Sequence, residues 1–453
     1  MLDLFVYKYA QHNSGSGYST SGLLYSFAVF SDIHVNSIDA DWGNGISDFK
    51  NALKQSENLG CSLIAACGDL TYTNTTAELQ TFKDALDSAN LTIPFYTCKG
   101  NHDCMATTCT DEMWNTYVGH NRNIVITKDN DVFIFVSQDY DSVTTGLTST
   151  TISWLSTQLS TYANNRCFVF IHYPFANTCG NANGLYSSNL LDSTTGIGEQ
   201  LWTLVTTYPN AIWFNGHTHL QLSCCNLDVN ANLYWKPNQA KLVHVPSLAT
   251  PRGDDDGDGV INTYNANSEG YIIDVYSDHI ILKGRDFLNG KYIENAQYYI
   301  DTTLKEIAEQ TENIVYSMNL SNTTTYGTST IVDSDNITIN AGGDGTKEYA
   351  TILIDDDKAL YAKCDGITLS TGETDLSKLA FTMTFYTDST KSTTLGMLTT
   401  YNCYLDETAI VCSNGYIPDE TATYAQIVFK SSSSYDGTLP VTVTIDNFRL
   451  YQK

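Results

Sequence analysis

Short apolar runs alternate with amphipathic stretches through the first 300 residues of the chain. The apolar runs have the length and the β-branched or aromatic content of buried strands, and turn-forming residues bound them. They fall at 27–30, 62–67, 93–98, 132–137, 167–171, 211–214, 242–245, 271–276 and 280–283. Helical spacing of apolar residues predicts helices after Ser47, after Thr75, and at 152–162 and 198–207. This alternation indicates an α/β (α+β) sandwich with a mixed central β-sheet core.

The pattern changes after about residue 301, where apolar and polar residues begin to alternate one by one between Thr-, Ser-, Asn- and Gly-rich turns. A short helix is predicted at 304–312, and strands are predicted at 336–340, 349–354, 379–386, 425–429 and 441–445. Such a series is typical of an all-β sandwich. The predicted organisation is an N-terminal arm with a Gly/Ser linker at 1–24, a first domain at 25–300, a linker at 301–312 and a β-sandwich at 313–453.

Polar side chains follow five of the predicted strands, at the point where each strand ends. These residues are Asp32, Asp69, Asn101, His172 and His217. Ligands of an open α/β sheet bind at the carboxyl ends of its strands, so we expect these side chains to meet at one edge. The glycines beside three of them, Gly68, Gly100 and Gly216, permit tight turns there.

Each of these short motifs is weak by itself. Asp32-Ile-His34 is a common loop triplet, and Gly68-Asp69 is ordinary turn chemistry. The sequence Gly-Asn-His-Asp at 100–103 is more informative, because three potential ligands or acid–base groups follow one buried strand. The imidazoles of His217 and His219, two residues apart in an extended segment, can both reach one metal cluster. Together, in this order and all at strand ends, the motifs predict a metal site.

The series D-x-H, G-D, G-N-H-D, a single H and G-H-x-H resembles the calcineurin-like metallophosphoesterase superfamily, over residues 25 to about 300. The resemblance implies that one metal is held by Asp32, His34, Asp69 and His219. It implies that the second metal is held by Asp69, Asn101, His172 and His217, with Asp69 bridging the two. It also implies that His102 is the acid beside the metals and that Asp103 orients it.

The ligand types are consistent with that chemistry. Imidazole, carboxylate and amide donors together suit Zn, Fe or Mn, so the expected cofactors are two divalent or trivalent transition metals. A bridging carboxylate can hold two cations about 3.5–4 Å apart, the spacing of two-metal phosphoryl transfer. The expected reaction is hydrolysis of a phosphodiester or phosphomonoester by a metal-activated hydroxide, with His102 assisting the leaving group.

Two further resemblances bear on the substrate. The segment Asp69-Leu70-Thr71-Tyr72 resembles the GDxxY motif of purple acid phosphatases, in which the Tyr binds iron. Those enzymes usually lack the His of the D-x-H motif, whereas His34 is present here, so packing or lid contact is the favoured role for Tyr72. The sequence His-Tyr-Pro-Phe at 172–175 is more similar to the cyclic-nucleotide phosphodiesterase branch, which favours a diester.

An acidic insertion precedes the last strands of the first domain. Asp254, Asp256 and Asp258, followed by Gly259, resemble a calcium-binding loop of the D-x-D-x-D-G kind. The twelfth position is Asn265 rather than Glu or Asp, which departs from that pattern. A calcium site and an acidic surface turn are both compatible with the sequence.

The run from Val443 to Tyr451 resembles the final strand of jelly-roll carbohydrate-binding modules. This resemblance implies a surface glycan as a partner of the β-sandwich. The alternative is an accessory domain that serves assembly or stability. The function is then either a phosphoesterase acting at a surface, a structural or binding protein such as an adhesin, fibre or virion component, or a cyclic-nucleotide phosphodiesterase.

Charge and hydropathy limit the partners. The 23 basic and 50 acidic residues give a formal net charge of −27, which opposes binding to a nucleic-acid backbone. A phosphate ester could bind where metal cations reverse the local field. No apolar run reaches the length of a transmembrane helix, and residues 1–10 make a poor signal peptide. The polar β-rich region and the acidic charge favour an extracellular, cell-surface or particle-associated protein, and the oligomeric state is left open.

Overall fold

The computed structural model describes residues 22–36, 45–105, 110–141, 146–176, 178–180, 190–223, 232–234, 239–253, 263–264 and 267–302, together with backbone strands between 314 and 452. Two compact units can be distinguished. One comprises residues 25–275 and 282–296, and the other takes in residues 276–281 and 297–453. The predicted boundaries at 24, 300 and 312 stay predictions. In the described residues, no helix is both long enough and apolar enough to cross a bilayer.

The first unit contains five described helices. They are α1 (Gly45–Asn58), α2 (Thr76–Ala89), α3 (Asp111–Val118), α4 (Ser149–Thr161) and α5 (Gly196–Thr207). The predicted capping box at the start of α2 is confirmed, because the Thr75 side chain accepts from Glu78 N while the Glu78 side chain binds back to the Thr75 backbone. The helix α3, which the sequence pattern did not predict, begins at a Thr110 cap and ends at Gly119, whose φ is 90°.

Two mixed sheets form the centre of this unit. The strands are β1 (Tyr25–Phe30), β2 (Cys61–Ala66), β3 (Phe95–Thr97), β4 (Ile124–Lys128), β5 (Asp131–Val136), β6 (Cys167–Ile171), β7 (Ala211–Asn215), β8 (Leu233–Tyr234), β9 (Lys241–His244), β10 (Arg252–Gly253), β11 (Thr263–Tyr264), β12 (Glu269–Val275), β13 (His279–Asp286) and β14 (Lys291–Asp301). One sheet has the order β14-β13-β12-β1-β2-β3, and the other has the order β4-β5-β6-β7-β9-β8. The strands β1, β2 and β3 are parallel, as are β5, β6, β7 and β9. The predicted mixed sheet is therefore confirmed, as a pair of sheets.

Aromatic side chains join the two sheets face to face. The ring of Phe27, on β1, lies 5.2 Å from that of Phe133 and 5.1 Å from that of Phe168, on β5 and β6. On the outer face of the first sheet, Phe49 of α1 stacks on Phe82 of α2 at 5.2 Å. All five side chains are fully buried. This packing gives a layered α/β core in which the carboxyl ends of β1, β2, β6 and β7 lie close together.

The second unit is described as backbone strands. They are β15 (Ile314–Ser317), β16 (Thr330–Asp333), β17 (Asn336–Ile339), β18 (Lys347–Leu353), β19 (Leu360–Lys363), β20 (Gly366–Leu369), β21 (Leu379–Tyr386), β22 (Thr394–Thr399), β23 (Leu405–Asp406), β24 (Ala409–Ile410), β25 (Asn414–Gly415), β26 (Tyr424–Ser431), β27 (Val441–Asp446) and β28 (Arg449–Gln452). Small antiparallel sheets form from them, with orders β15-β28-β19, β16-β17-β27-β20 and β18-β26-β21-β22. The helix predicted at 304–312 lies outside the described residues. A β-sandwich in this region stays a prediction.

A buried carboxyl in the first unit makes folding depend on pH. Glu269 is 1% exposed, and its Oε2 accepts a hydrogen bond from Leu222 N at 2.8 Å. Burial, reinforced by the charge of Asp286, raises the pKa of Glu269 from 4.5 to about 7. The folded state therefore binds the extra proton, and this part of the stability is present below the unfolded pKa and is lost as pH rises through about 7.

We expect Glu269→Gln to stabilise the protein at pH 8, by on the order of 3 kcal/mol, because glutamine keeps the acceptor oxygen and removes the buried charge. The measurement is denaturant unfolding of both proteins from pH 4 to pH 9. The difference between them should grow as pH rises from about 4.5 to about 7 and then level off. A difference that stays constant over this range would show that Glu269 does not titrate as described.

Candidate metal centre

The structure brings the predicted ligands from both sheets to one place. Each lies within a few residues after the carboxyl end of a strand, namely Asp32 and His34 after β1, Asp69 after β2, Asn101 after β3, His172 after β6, and His217 and His219 after β7. All except Asn101 are buried. Their side-chain donor atoms form two groups that adjoin at Asp69.

The first group consists of Asp32, His34 and His219. The Nε2 atoms of His34 and His219 are 3.1 Å apart, although 185 residues separate them in sequence. His219 Nε2 also lies 3.1 Å from Asp32 Oδ1, and His34 Nε2 lies 3.8 Å from the same oxygen. Three donor atoms therefore converge on one point.

The second group consists of Asp69, His172 and His217, with Asn101 beside them. His172 Nε2 lies 3.1 Å from Asp69 Oδ2, 3.0 Å from Asn101 Oδ1 and 3.3 Å from His217 Nδ1. The other ring nitrogen of His172, Nδ1, is 2.8 Å from the carbonyl oxygen of Cys67. Because a carbonyl only accepts, His172 carries its hydrogen on Nδ1 and turns Nε2 toward the group.

The two groups are neighbours through their carboxylates. Asp69 Oδ2, 3.1 Å from His172 Nε2, is also 3.9 Å from His34 Nε2 in the other group. Asp32 Oδ1 in turn lies 4.0 Å from His172 Nε2. Asp69 thus occupies the position from which one carboxylate can face two cations.

The donor set fits transition metals by type and by spacing. Metal–nitrogen bonds of about 2.0–2.1 Å place neighbouring ligand atoms about 3 Å apart, as the closest pairs here are. In the described part of the chain, Asp32 Oδ1 and Asp69 Oδ2 accept no well-formed hydrogen bond, although both are fully buried. Buried carboxylate oxygens normally have a hydrogen-bond partner, so their convergence with imidazole nitrogens is the arrangement expected of a cation site.

The carboxylates and the imidazoles of the two groups shift one another's pKa values. Burial acts to raise the pKa of Asp32, but His219, His34 and His172 together outweigh burial and hold that pKa well below its usual range. In Asp69, burial is similarly outweighed by His172, His102 and His34, and the pKa is lowered. Burial lowers the pKa of His217 to about 3. In His172, burial acts to lower the pKa, but the charges of Asp69 and Asp32 and the hydrogen bonds of the ring together outweigh burial and raise the pKa to about 9.

The backbone of the ligand residues is strained. Five of them have a positive φ, a region that side-chain-bearing residues rarely adopt, at a cost of about 1–3 kcal/mol each. They are Asp32 (52°), His34 (48°), Asp69 (52°), His217 (74°) and His219 (59°). Hydrogen bonds between the turns hold this conformation, since Ile33 N and His34 N both donate to the Asp69 carbonyl oxygen, at 2.8 and 3.0 Å.

Two glycines of the motifs are required by close approach. A Cβ on Gly216 would overlap Ser31 Oγ and lie 2.5 Å from Asp32 Oδ2. A Cβ on Gly100 would overlap Asp69 Oδ1. Glycine is therefore needed at both positions to bring the loops after β7 and β3 against the two carboxylates.

The residues predicted as the acid and its orienting partner have different contacts from those expected. His102 is half-buried, and its Nδ1 lies 2.6 Å from the carbonyl oxygen of Tyr72. The carboxylate of Asp103 is instead turned to the loops, where it accepts from Leu70 N, Thr71 N, Thr71 Oγ1 and Gly100 N at 3.0–3.1 Å. The Tyr72 carbonyl thus contacts the His102 ring, and Asp103 ties the loop after β2 to the loop after β3. The roles of His102 as an acid and of Asp103 as its partner stay predictions.

His102 also lies near the donor atoms themselves. Together with His34 and Asp69 it forms a third group whose ligand-type atoms lie within 4.8 Å of one another. Its backbone N donates to Asp69 Oδ1 at 2.9 Å. The Tyr72 ring, 5.5 Å from the His102 ring, packs beside it. His102 is thus more exposed than the other histidines of these groups while lying within reach of the same donor atoms.

The predicted calcium loop cannot be compared with the structure. Asp254, Asp256 and Asp258 lie outside the described residues. The flanking strands β10 and β11 pair antiparallel, Arg252 with Tyr264 and Gly253 with Thr263. The calcium site stays a prediction.

The sequence pattern missed several groups that hold the ligands. The carbonyls of Cys67 and Tyr72 orient His172 and His102, but every residue has a carbonyl, so no residue type could indicate them. Thr250 and Ser247, which contact His219 and Asp32, follow strand β9 in a segment without ligand-like residues. The sequence feature that could have indicated Ser247 and Thr250 is a pair of hydroxyl residues that follows an apolar strand.

Part of the chain is similar to known proteins. Residues 25–221 match the family model of calcineurin-like phosphoesterases. A 3′,5′-cyclic-nucleotide phosphodiesterase from Nostoc sp. is 26% identical over 200 residues, which are 43% of this chain and 71% of the relative.

Two solved structures are also similar to part of the chain. A purple acid phosphatase from yellow lupin (Lupinus luteus) seeds matches with a TM-score of 0.41 and 14% identity, over 62% of this chain and 54% of that one. The chain thus spans little more than half of that phosphatase. Vacuolar protein sorting 29 from Cryptosporidium parvum matches with a TM-score of 0.32 and 10% identity, over 62% of this chain and all of that one. The match to the calcineurin-like phosphoesterase model thus covers somewhat less than half of this chain.

Proposed function

We propose that this chain is a dinuclear metal-dependent phosphoesterase. The observation that carries the proposal is the convergence of two groups of buried donor atoms that adjoin at the Asp69 carboxylate. Asp69 Oδ2 lies 3.1 Å from His172 Nε2 in its own group and 3.9 Å from His34 Nε2 in the other. One metal would be held by Asp32, His34, Asp69 and His219. The other would be held by Asp69, Asn101, His172 and His217.

Two bound cations would supply Lewis-acid activation of the phosphate ester and of the attacking water. The chain's own residues supply the rest. The ionised carboxylates of Asp32 and Asp69 would attract the two cations to this place in a protein whose formal net charge is −27. His102, half-buried and held at Nδ1 by the Tyr72 carbonyl, is placed to give a proton to the leaving oxygen.

We favour a phosphodiester over a monoester as substrate. The relative from Nostoc is named a cyclic-nucleotide phosphodiesterase, and the likeness of His172-Tyr173-Pro174-Phe175 to that branch points the same way. A cyclic nucleotide is accordingly the first natural diester to test. Action at a surface through the C-terminal region, by glycan binding or by assembly, is a separate prediction.

Removing metal from the protein should abolish hydrolysis. The purified chain should contain about two transition-metal ions, measured by inductively coupled plasma mass spectrometry. Chelation should reduce the hydrolysis of bis-p-nitrophenyl phosphate to background, and adding back Zn, Mn or Fe should restore it. The same preparations should be tested on p-nitrophenyl phosphate and on 3′,5′-cyclic AMP, so that diester and monoester rates are compared directly.

The outcomes separate the parts of the proposal. A protein that binds no transition metal, or that hydrolyses no phosphate ester when loaded, contradicts the proposed function. A loaded protein that hydrolyses only the monoester contradicts the diester preference and leaves the metal assignment standing. Hydrolysis of bis-p-nitrophenyl phosphate without hydrolysis of cyclic AMP would exclude only the cyclic nucleotide.

A further inference from the structure

The loop that follows strand β9 lies against the first ligand group. We call residues 247–250, Ser-Leu-Ala-Thr, the backing loop. All four residues are at least 96% buried. The loop lies beyond residue 221, where the match to the calcineurin-like family model ends. It carries no carboxylate, imidazole or thiol, the side chains that most often bind transition metals.

The end of the backing loop contacts the imidazole of His219. His219 Nδ1 lies 3.0 Å from Thr250 Oγ1 and 3.2 Å from the Thr250 carbonyl oxygen. Because the carbonyl can only accept, the hydrogen of the neutral imidazole is on Nδ1. The lone pair is then on Nε2, the atom that lies 3.1 Å from both Asp32 Oδ1 and His34 Nε2.

The start of the backing loop contacts the turn that carries Asp32. Ser247 Oγ donates to the Asp32 carbonyl oxygen at 2.9 Å, and it accepts from Thr250 N at 2.9 Å. Leu248 N donates to the Ser31 carbonyl oxygen, also at 2.9 Å. One short loop therefore fixes both the backbone of a carboxylate ligand and the ring of an imidazole ligand, which follow different strands of different sheets.

We propose that Thr250 is a positioning residue that fixes the tautomer and the orientation of His219, so that the first metal site depends on the backing loop. The proposal rests on the proposed role of His219 as a metal ligand. Metal-bound histidines generally donate their second ring N–H to an oxygen, and loss of such a partner lowers metal affinity by about 10–100-fold. The Thr250 carbonyl would remain in a side-chain variant, so we expect an effect of about tenfold.

The test is metal affinity in the full chain, measured by competition of Zn²⁺ with a chromophoric chelator. Thr250→Val removes the hydroxyl at nearly constant volume and should weaken one of the two sites by about tenfold. Thr250→Ser keeps the hydroxyl and should restore affinity to within about threefold. The matched control is Thr178→Val, since Thr178 is 2% exposed and its Oγ1 donates to the Phe175 carbonyl at 2.6 Å, away from any ligand ring.

The results distinguish positioning from general support. If Thr250→Val fails to fold, Thr250→Ala, which leaves more space beside Ser247, takes its place in the same comparison. Loss at one site only, with rescue by serine, supports the proposal. Two sites of unaltered affinity in the valine or alanine variant overturn it and leave the proposed function intact. A native chain that binds no Zn²⁺ overturns the proposed function as well.

Discussion

Replacing Asp69 with asparagine should abolish phosphoester hydrolysis and release more than one metal ion per chain. Asp69 Oδ2 faces both ligand groups, 3.1 Å from His172 Nε2 and 3.9 Å from His34 Nε2. Asparagine has the same size but no charge, so it cannot neutralise a second cation from that position. We expect kcat/KM to fall by at least about 10³-fold, equivalent to about 4 kcal/mol of transition-state stabilisation.

The measurement combines metal analysis with rates on bis-p-nitrophenyl phosphate. A suitable control is Asp48→Asn, which removes another buried carboxylate from the same unit, one whose pKa is raised to about 6 by burial and Asp286. That variant should retain both metals and its activity. If Asp69→Asn keeps two tightly bound metals and turns over normally, the bridging assignment is wrong.

Replacing His102 with alanine should lower kcat by about 10²–10⁴-fold while leaving the metal content unchanged. The His102 ring is held at Nδ1 by the Tyr72 carbonyl, and it is more exposed than the buried histidines of the two ligand groups. A proton donor at this position matters most for a poor leaving group. The loss should therefore be smaller for p-nitrophenyl esters than for alkyl esters.

His120→Ala is the matched control for this second variant. His120 is also half-buried and hydrogen-bonded to backbone, through Thr97 N and the Asn121 carbonyl, but it belongs to none of the donor groups. Its replacement should leave kcat unchanged. Loss of metal from His102→Ala would identify His102 as a ligand, which the grouping of His34, Asp69 and His102 makes a specific alternative. An unchanged rate would remove His102 from the mechanism.

Local pattern was sufficient for the elements whose signals are strong. Strands β1, β2, β6 and β7 each contain a continuous run of four or five apolar residues, and burial of both faces is the physical reason that such runs become central strands. The start of α2 followed from Thr75 and Glu78, whose hydrogen bonds are local and so need no tertiary contact. The position of the polar residues at the carboxyl ends of these strands could likewise be predicted, because they follow each strand directly in the sequence.

Weakly patterned elements were not found in this way. Helix α3 is eight residues long and has two buried side chains, Trp114 and Val118. Two apolar positions are too few to show the helical periodicity from which a helix is predicted. Strand β4 has partly exposed residues on both faces, and strand β14 mixes charged, amide and aromatic residues. Their pairing with β5 and β13 supplies the stability that their own sequences do not specify.

The residue types of the candidate metal centre, and their positions at strand ends, could be predicted from the sequence. How those residues are held follows from the packing of the chain. The packed chain places the Tyr72 carbonyl beside His102 Nδ1, sets five of the predicted ligands in left-handed backbone, and brings Ser247 and Thr250 against Asp32 and His219. The groups that contact these residues are backbone carbonyls and hydroxyls. They occur throughout the chain, so residue type does not indicate which of them contact the site. Their partners lie up to 215 residues away, and packing of the two sheets is what brings them within hydrogen-bonding distance.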